Sequence, residues 1–217
     1  MRIPEPWHGL VADLVALAVP VDCAGCGAPG RGLCASCLIA LEPRPSSRVL
    51  AAPGLTTASG LSYDGVARTV LLAYKNAGAT GLALPLATAL RAAVGLALEG
   101  IAGDGILLVP MPPTRRSTVE RGYDPVRLLL ARARLPAVRL LALTRGGAHQ
   151  ARLGREARQD NAAGSMRGSP RAAGRRILLV DDVVTTGATL AEAARALAAG
   201  GGQVLGAATV ASTPLRH

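Results

Sequence analysis

Apolar positions along the chain follow two different rhythms, and a few stretches follow neither. Ile177 to Val180 and Gly105 to Val109 are unbroken apolar runs, the pattern of parallel strands buried on both faces rather than half-exposed antiparallel ones. Leu55 to Tyr63, Val138 to Thr144 and Val204 to Ala211 are further short strand candidates, the last closing the chain's pattern. Helical spacing marks His8 to Val19, through Leu10, Val11, Leu14, Val15 and Ala18. It also marks Val66 to Tyr74, Leu82 to Leu98 and Val126 to Arg134, and an alanine-rich run from Leu190 that stops at Gly200 to Gly202. Pro20 ends the first of these helices, and Asp64-Gly65 is a turn signal. The Pro- and Ser-rich segment Glu42 to Pro53 reads as a linker, and Arg145 to Gly174 as a loop or lid with a short helix. These readings predict an α/β fold with an open, mainly parallel sheet flanked by helices, in a unit spanning 55–217. A small N-terminal module spans 1–44, with a linker at 45–54.

Composition narrows the core and the partners. The 217 residues allow one ordinary domain plus an appendage, and half are apolar. With no Phe, one Trp and three Tyr, the core must be Leu, Val and Ala, and base stacking has few platforms. The net charge is +10, and residues 115–176 hold 15 Arg against four acidic residues, a local +11. Polyanions suit that field, whether a pyrophosphate-bearing substrate or nucleic acid, although a solvated basic face would look the same. Asp13 interrupts the apolar stretch Trp7 to Val21, and only Arg2 precedes it as a charge, which argues against a secretion signal. Leu82 to Leu98 comes nearest to the roughly 18 apolar residues of a membrane span, but Pro85, Thr88 and Arg91 break it. A soluble, cytoplasmic protein without a membrane span is expected.

The four cysteines form one cluster, Cys23-x2-Cys26 and Cys34-x2-Cys37, with seven residues between the hooks. Two such hooks can wrap one ion in tetrahedral thiolate coordination, and Gly25, Gly27, Gly30 and Gly32 ease the tight backbone. Four protein ligands make a closed, structural Zn2+ site; a pair of redox dithiols is the alternative, though no thioredoxin-like strand precedes either pair.

The densest chemistry lies in Ile177 to Leu190, ILLVDDVVTTGATL. Asp181 and Asp182 are expected to end the apolar strand, at the carboxyl edge where open α/β sheets place ligands. Val183 leads into Thr185, Thr186, Gly187, Ala188 and Thr189, which open the alanine-rich helix. Helix N-terminal N–H groups, two threonine hydroxyls and a glycine that permits close approach suit a phosphate, and the carboxylates suit sugar hydroxyls. Lys75, the only lysine, stands at the end of a helix before Gly78, as an anion contact or simply a solvated cation. After the strand at Gly105 to Val109, Pro110 to Pro113 leads to Arg115 and Arg116 and then to Glu120-Arg121-Gly122-Tyr123. Guanidinium forks there suit a pyrophosphate; a mobile basic loop is the alternative. His149 alone is weak ground for acid-base chemistry.

The VDDVVTTGAT stretch resembles the signature of type I phosphoribosyltransferases, whose substrate is phosphoribosyl pyrophosphate. The resemblance implies that Asp181 and Asp182 contact the ribose hydroxyls and that the Thr185–Thr189 loop cradles the 5′-phosphate. The wider layout resembles the ComF-type competence-associated family, which joins a four-cysteine zinc module to a phosphoribosyltransferase domain. That resemblance rests on CAGC…CASC, YKNAG, VPMP with RR and ERGY, HQARLGREARQDN and VDDVVTTGAT. It implies binding of phosphoribosyl pyrophosphate and a role in DNA uptake, with single-stranded DNA or the uptake machinery as partners. Mg2+-dependent phosphoribosyl transfer to an unspecified acceptor is the leading reading, and a non-catalytic phosphoribosyl pyrophosphate-binding or DNA-binding accessory protein the alternative. A homo-oligomer is also compatible with it. The family tends to have Arg-Gly-Phe-Asn-Gln where this chain has Arg121-Gly122-Tyr123-Asp124-Pro125, so the amides are absent and Asp124 is free to orient Arg121.

Overall fold

The structure, a computed structural model, describes residues 22–29, 32–50, 54–76, 79–113, 122–144 and 164–214. The helix expected at His8 to Val19, the residues Arg115, Arg116 and Arg121, and the segment carrying His149 lie outside the described residues. In chain order the helices are α1 (Ala35–Ala40), α2 (Gly65–Asn76), α3 (Ala83–Leu98), α4 (Pro125–Arg132) and α5 (Ala188–Ala199). The strands are β1 (Ser46–Val49), β2 (Thr56–Ser62), β3 (Leu107–Pro110), β4 (Leu141–Leu143), β5 (Met166–Gly168), β6 (Arg176–Val184) and β7 (Gln203–Ser212).

The main sheet has the order β1-β2-β7-β6-β3, parallel throughout except for β1, which runs antiparallel to β2. It is a mixed, mostly parallel sheet flanked by helices, as the strand patterns imply. Side chains alternate across a strand, so Leu178 and Val180 join Ala208 and Val210 in a core with α2, α3 and α4. Ile177, Leu179 and Ala207 face the opposite way into a core with α5. All four residues Ile177 to Val180 are fully buried, which is why this strand shows no polar alternation in sequence. Between β2 and β7 the buried Ser59 and Thr209 hydroxyls satisfy each other at 2.7 Å, the paired arrangement that buried hydroxyls require.

Helix α3 and its 3-10 lead-in, Thr80–Leu98, are long and apolar enough to cross a membrane by length and composition. The structure uses that length as a core element: Leu86, Leu90, Ala93 and Val94 are buried where the helix packs on β2 and β7. Gly60 of β2 makes the close packing feasible, because a Cβ there would meet the Ala89 carbonyl oxygen at 2.1 Å.

Several expectations change. β6 runs through both aspartates to Val184 instead of ending at them, because Asp181 and Val183 stay in register with Thr209 and Ala211 of β7. The segment read as a linker carries β1, whose serines are tolerated because an edge strand is paired on one side only. Val138 to Thr144 does not join the main sheet as a long strand. It touches β3 through the Val138 N–H on Leu108 O, then pairs as β4 with β5 in a two-stranded antiparallel sheet. β5 and a 3-10 turn, Pro170–Ala172, lie in the segment read as a loop, while β7, last in sequence, sits at the centre of the sheet.

Gly60→Ala should separate α3 from β2 and cost about 1–3 kcal/mol of stability, as overpacked cores do. Urea unfolding of wild type and variant measures it, and an unchanged midpoint would contradict the tight α3–β2 approach.

Candidate functional site

β2, β7, β6 and β3 run in one direction, so their carboxyl ends share one edge of the sheet. Asp181 and Asp182 sit there, half-buried, on the last turns of the pleat. Consecutive strand residues point to opposite faces, and Asp182 meets Lys75 of α2, with Nζ 2.7 Å from Oδ1. Asp181 instead accepts the Asp182 N–H at 2.8 Å. Burial, then the charge of Asp182, pushes the Asp181 carboxyl up to about 7 from its ordinary 3.8, despite the opposing pull of Lys75. At neutral pH Asp181 therefore carries only part of a negative charge, while Lys75 pairs with its neighbour Asp182. The sequence places these residues 106 positions or more apart; the fold brings Lys75 to Asp182 because α2 packs on the face to which Asp182 points.

Beyond Val184 the chain turns through exposed Thr185 and Thr186 to Gly187, which has φ 85° and begins α5. That left-handed conformation favours glycine. The close neighbour at Gly187 is the Leu50 side chain, whose Cδ1 would lie 2.4 Å from a Cβ, so the glycine answers a contact within the protein as well as its own φ. Thr186 Oγ1 accepts the Ala188 N–H at 3.4 Å. Among the described residues no protein acceptor takes the N–H groups of Thr185, Thr186 or Gly187, so three amides at the positive end of a 12-residue helix remain available to an anion. Thr189 is exposed one position into the helix.

One residue that the sequence did not single out stands directly beneath this turn. Arg48 of β1 donates to the carbonyl oxygens of Thr185 at 2.7 Å, Thr213 at 3.1 Å and Val184 at 3.4 Å. Only its place on the sheet could have revealed it, since it lies in a Pro- and Ser-rich stretch with no motif around it. Arg48 and Thr213 also line a cavity of about 640 Å³ with Arg44, Ser62, Asp64 and Ser212, at the carboxyl ends of β2 and β7. The aspartate pair does not line it.

Two tyrosines connect the strand-end loops. The Tyr74 hydroxyl donates to Pro125 O at 2.8 Å, the Tyr123 hydroxyl donates to Tyr74 O, and the rings lie 5.8 Å apart. Tyr74 precedes Lys75, so Tyr123 and the start of α4 are pinned to the helix end that carries the lysine. Asp124 caps α4 by accepting the Arg127 N–H at 3.1 Å, with Pro125 in the first turn. Asp-Pro is thus a helix start, and Arg121, the expected partner of Asp124, lies outside the described residues.

At the N-terminal module the four thiols converge, all Sγ atoms lying within 4.8 Å of one another. Cys26 and Cys34 are 3.7 Å apart, close to the edge of about 3.8 Å for a tetrahedron with metal–sulfur bonds of about 2.3 Å. N–H groups led by that of Cys34 hold the Cys23 thiol down to about 6, whereas burial pushes Cys37 up to about 12. A divalent cation removes that conflict by stabilising every thiolate together. Gly25 lets the first hook close on the second, since a Cβ there would meet Cys37 Sγ at 2.6 Å. Gly27 and Gly32 adopt positive φ, and Gly30 lies outside the described residues. The cluster fits a metal ion by donor set and geometry.

Residues 137–216 match the family model described as phosphoribosyl transferase domain. The matched stretch covers β4 through β7, with the acid pair and the turn into α5. No curated protein matches the chain. Fold and site together define an α/β protein with a region similar to a phosphoribosyl transferase domain and a four-cysteine cluster near its N-terminus.

The raised value at Asp181 has a sign that can be checked. The folded protein binds the proton more tightly than the unfolded chain, so stability from this group is full below about 4 and is lost as pH rises toward about 7. Asp181→Asn should flatten that decline and raise the melting temperature at pH 8 by roughly 2–5 °C. Thermal melts from pH 4 to 8 test it, and parallel curves for the two proteins would refute the raised value.

Proposed function

We propose that this protein is a phosphoribosyltransferase of the ComF type, binding phosphoribosyl pyrophosphate at the carboxyl edge of β6. The observation that carries the reading is the sequence of groups along one strand: an acid pair with a lysine on one carboxylate, then a turn with three unclaimed amides at a helix start. A sugar 5-phosphate presents the matching groups, hydroxyls followed by a dianion. The match of residues 137–216 to the phosphoribosyl transferase domain supports the same substrate class.

In this reading Asp181 and Asp182 accept from the ribose hydroxyls, and the Thr185–Thr189 turn holds the 5′-phosphate. A nucleophile's lone pair forms the bond to the anomeric carbon as the carbon–oxygen bond breaks, and pyrophosphate leaves with that electron pair. Positive charge developing on the ring is stabilised by the acid pair, and Lys75, with Arg115 and Arg116, neutralises the departing anion. Lys75 is suited to this because its Nζ already rests 2.7 Å from Asp182 and can bridge that carboxylate to a second anion. Mg2+, bound with the substrate near Asp181 and Asp182, would supply charge neutralisation for the departing pyrophosphate. Arg121 extends the anion contacts. The cavity lined by Ser62, Asp64 and Ser212 opens at the same sheet edge and is our proposed seat for the acceptor.

The N-terminal cluster holds Zn2+ through Cys23, Cys26, Cys34 and Cys37 in a structural role. Metal analysis should find one zinc per chain, and a strong chelator should release it with a loss of several degrees in melting temperature. A chain that keeps its melting temperature with no metal bound would remove the cluster from any structural role.

The decisive experiment is a calorimetric titration with phosphoribosyl pyrophosphate and Mg2+, joined to an assay of pyrophosphate release over a panel of bases and amines. Wild type should bind, affinity should rise as pH passes about 7 and Asp181 ionises, and Asp181→Asn with Asp182→Asn should weaken binding while zinc content stays constant. Binding without release for any acceptor would make the protein a sensor, and absence of binding would end the reading. The +11 field of residues 115–176 favours one second reading, a DNA contact in competence. Its affinity for single-stranded DNA must then fall steeply with salt.

A further inference from the structure

We infer that Arg48 positions the phosphate-binding turn, an inference that rests on the sugar-phosphate reading of the site and adds a residue to it. The guanidinium forks onto three carbonyl oxygens, those of Val184, Thr185 and Thr213, and forms no ion pair with a described carboxylate. In a trans peptide the C=O and the next N–H point in opposite directions. Holding the Val184 and Thr185 carbonyls toward Arg48 therefore aims the Thr185 and Thr186 N–H groups away from it, toward the side where none of the described residues accepts from the turn.

Two further observations fit a bracing role. Thr213 N–H also donates to Val184 O at 3.0 Å, so the base of the turn is tied to the end of β7 as well as to β1. Leu50, two residues after Arg48, closes on Gly187 and has its N–H on Leu55 O at 3.0 Å. β1 thus grips the turn from below at its start and at the helix cap. No described carboxylate forms an ion pair with the cationic head, whose charge adds to the attraction for a phosphate dianion. Bracing in advance lowers the ordering cost of binding, so its loss should fall on phosphate affinity.

The test compares ligands that differ in which end they engage: ribose 5-phosphate, phosphoribosyl pyrophosphate with Mg2+, and inorganic pyrophosphate with Mg2+, titrated calorimetrically into the full chain. Arg48→Ala should weaken the two 5′-phosphate ligands on the order of ten- to a hundredfold while leaving pyrophosphate within about twofold. Arg48→Lys keeps the charge and a folded edge strand but cannot fork, and should remain weakened toward ribose 5-phosphate. Amide resonances of Thr186 and Gly187 should shift in both variants without ligand. If Arg48→Ala binds ribose 5-phosphate as wild type does, or loses pyrophosphate equally, the positioning role fails while the site stands. Full recovery in Arg48→Lys likewise overturns the fork. Should wild type bind no 5′-phosphate ligand, the sugar-phosphate reading fails first and takes this inference with it.

Discussion

Two adjacent carboxylates inside a strand whose preceding four residues are fully buried form the constraint on which this structure turns. Desolvated charge is costly, and the fold meets that cost differently on each face of the sheet. On the α2 face Lys75 stands against Asp182; on the other Asp181 has a neighbouring amide and a strong tendency to keep its proton. An arrangement in which one carboxyl is paired and the other is poised near neutrality is unstable toward a ligand that brings hydroxyl donors and a compensating cation. The same imbalance marks sites where chemistry is done.

What surrounds the pair is built to keep that edge in place. α3 lies close on the sheet because Gly60 has no side chain, the Tyr74–Tyr123 pair fastens the end of α2 to the loop that precedes α4, and Arg48 supports the turn leading into α5. Each device acts on backbone groups at strand ends. Rigid strands thereby hand their accuracy to loops, where an open α/β sheet keeps its ligands.

The four-cysteine cluster is a separate solution to a smaller problem. Two short glycine-bearing hooks bury little of themselves, and four converging thiols offer a shared point on which a metal ion could fasten them. Its contact with the rest runs through Gly25, whose open position lies against Cys37 and Val66 of α2. Leu41, just after α1, joins the main core. From there the chain continues into β1, so the cluster and the turn into α5 are joined by a short stretch of described backbone.

Local sequence by itself determined the elements whose causes are local. An apolar run without alternation must be a strand covered on both faces, two Cys-x2-Cys hooks must face each other to hold one ion, and a glycine after paired threonines opens a helix. The acid pair and the turn were legible for that reason. Tertiary structure alone decided what depends on distant partners: that β6 continues through its aspartates because β7 lies alongside, that β7 is central, and that Val138 to Thr144 leaves the main sheet for β5. It also chose Lys75 for Asp182 and Arg48 for the turn. Periodicity reports which face of an element is buried but carries no record of the neighbour that buries it, and a lone arginine among serines has no pattern until a sheet brings it within 2.7 Å of a carbonyl 137 residues away.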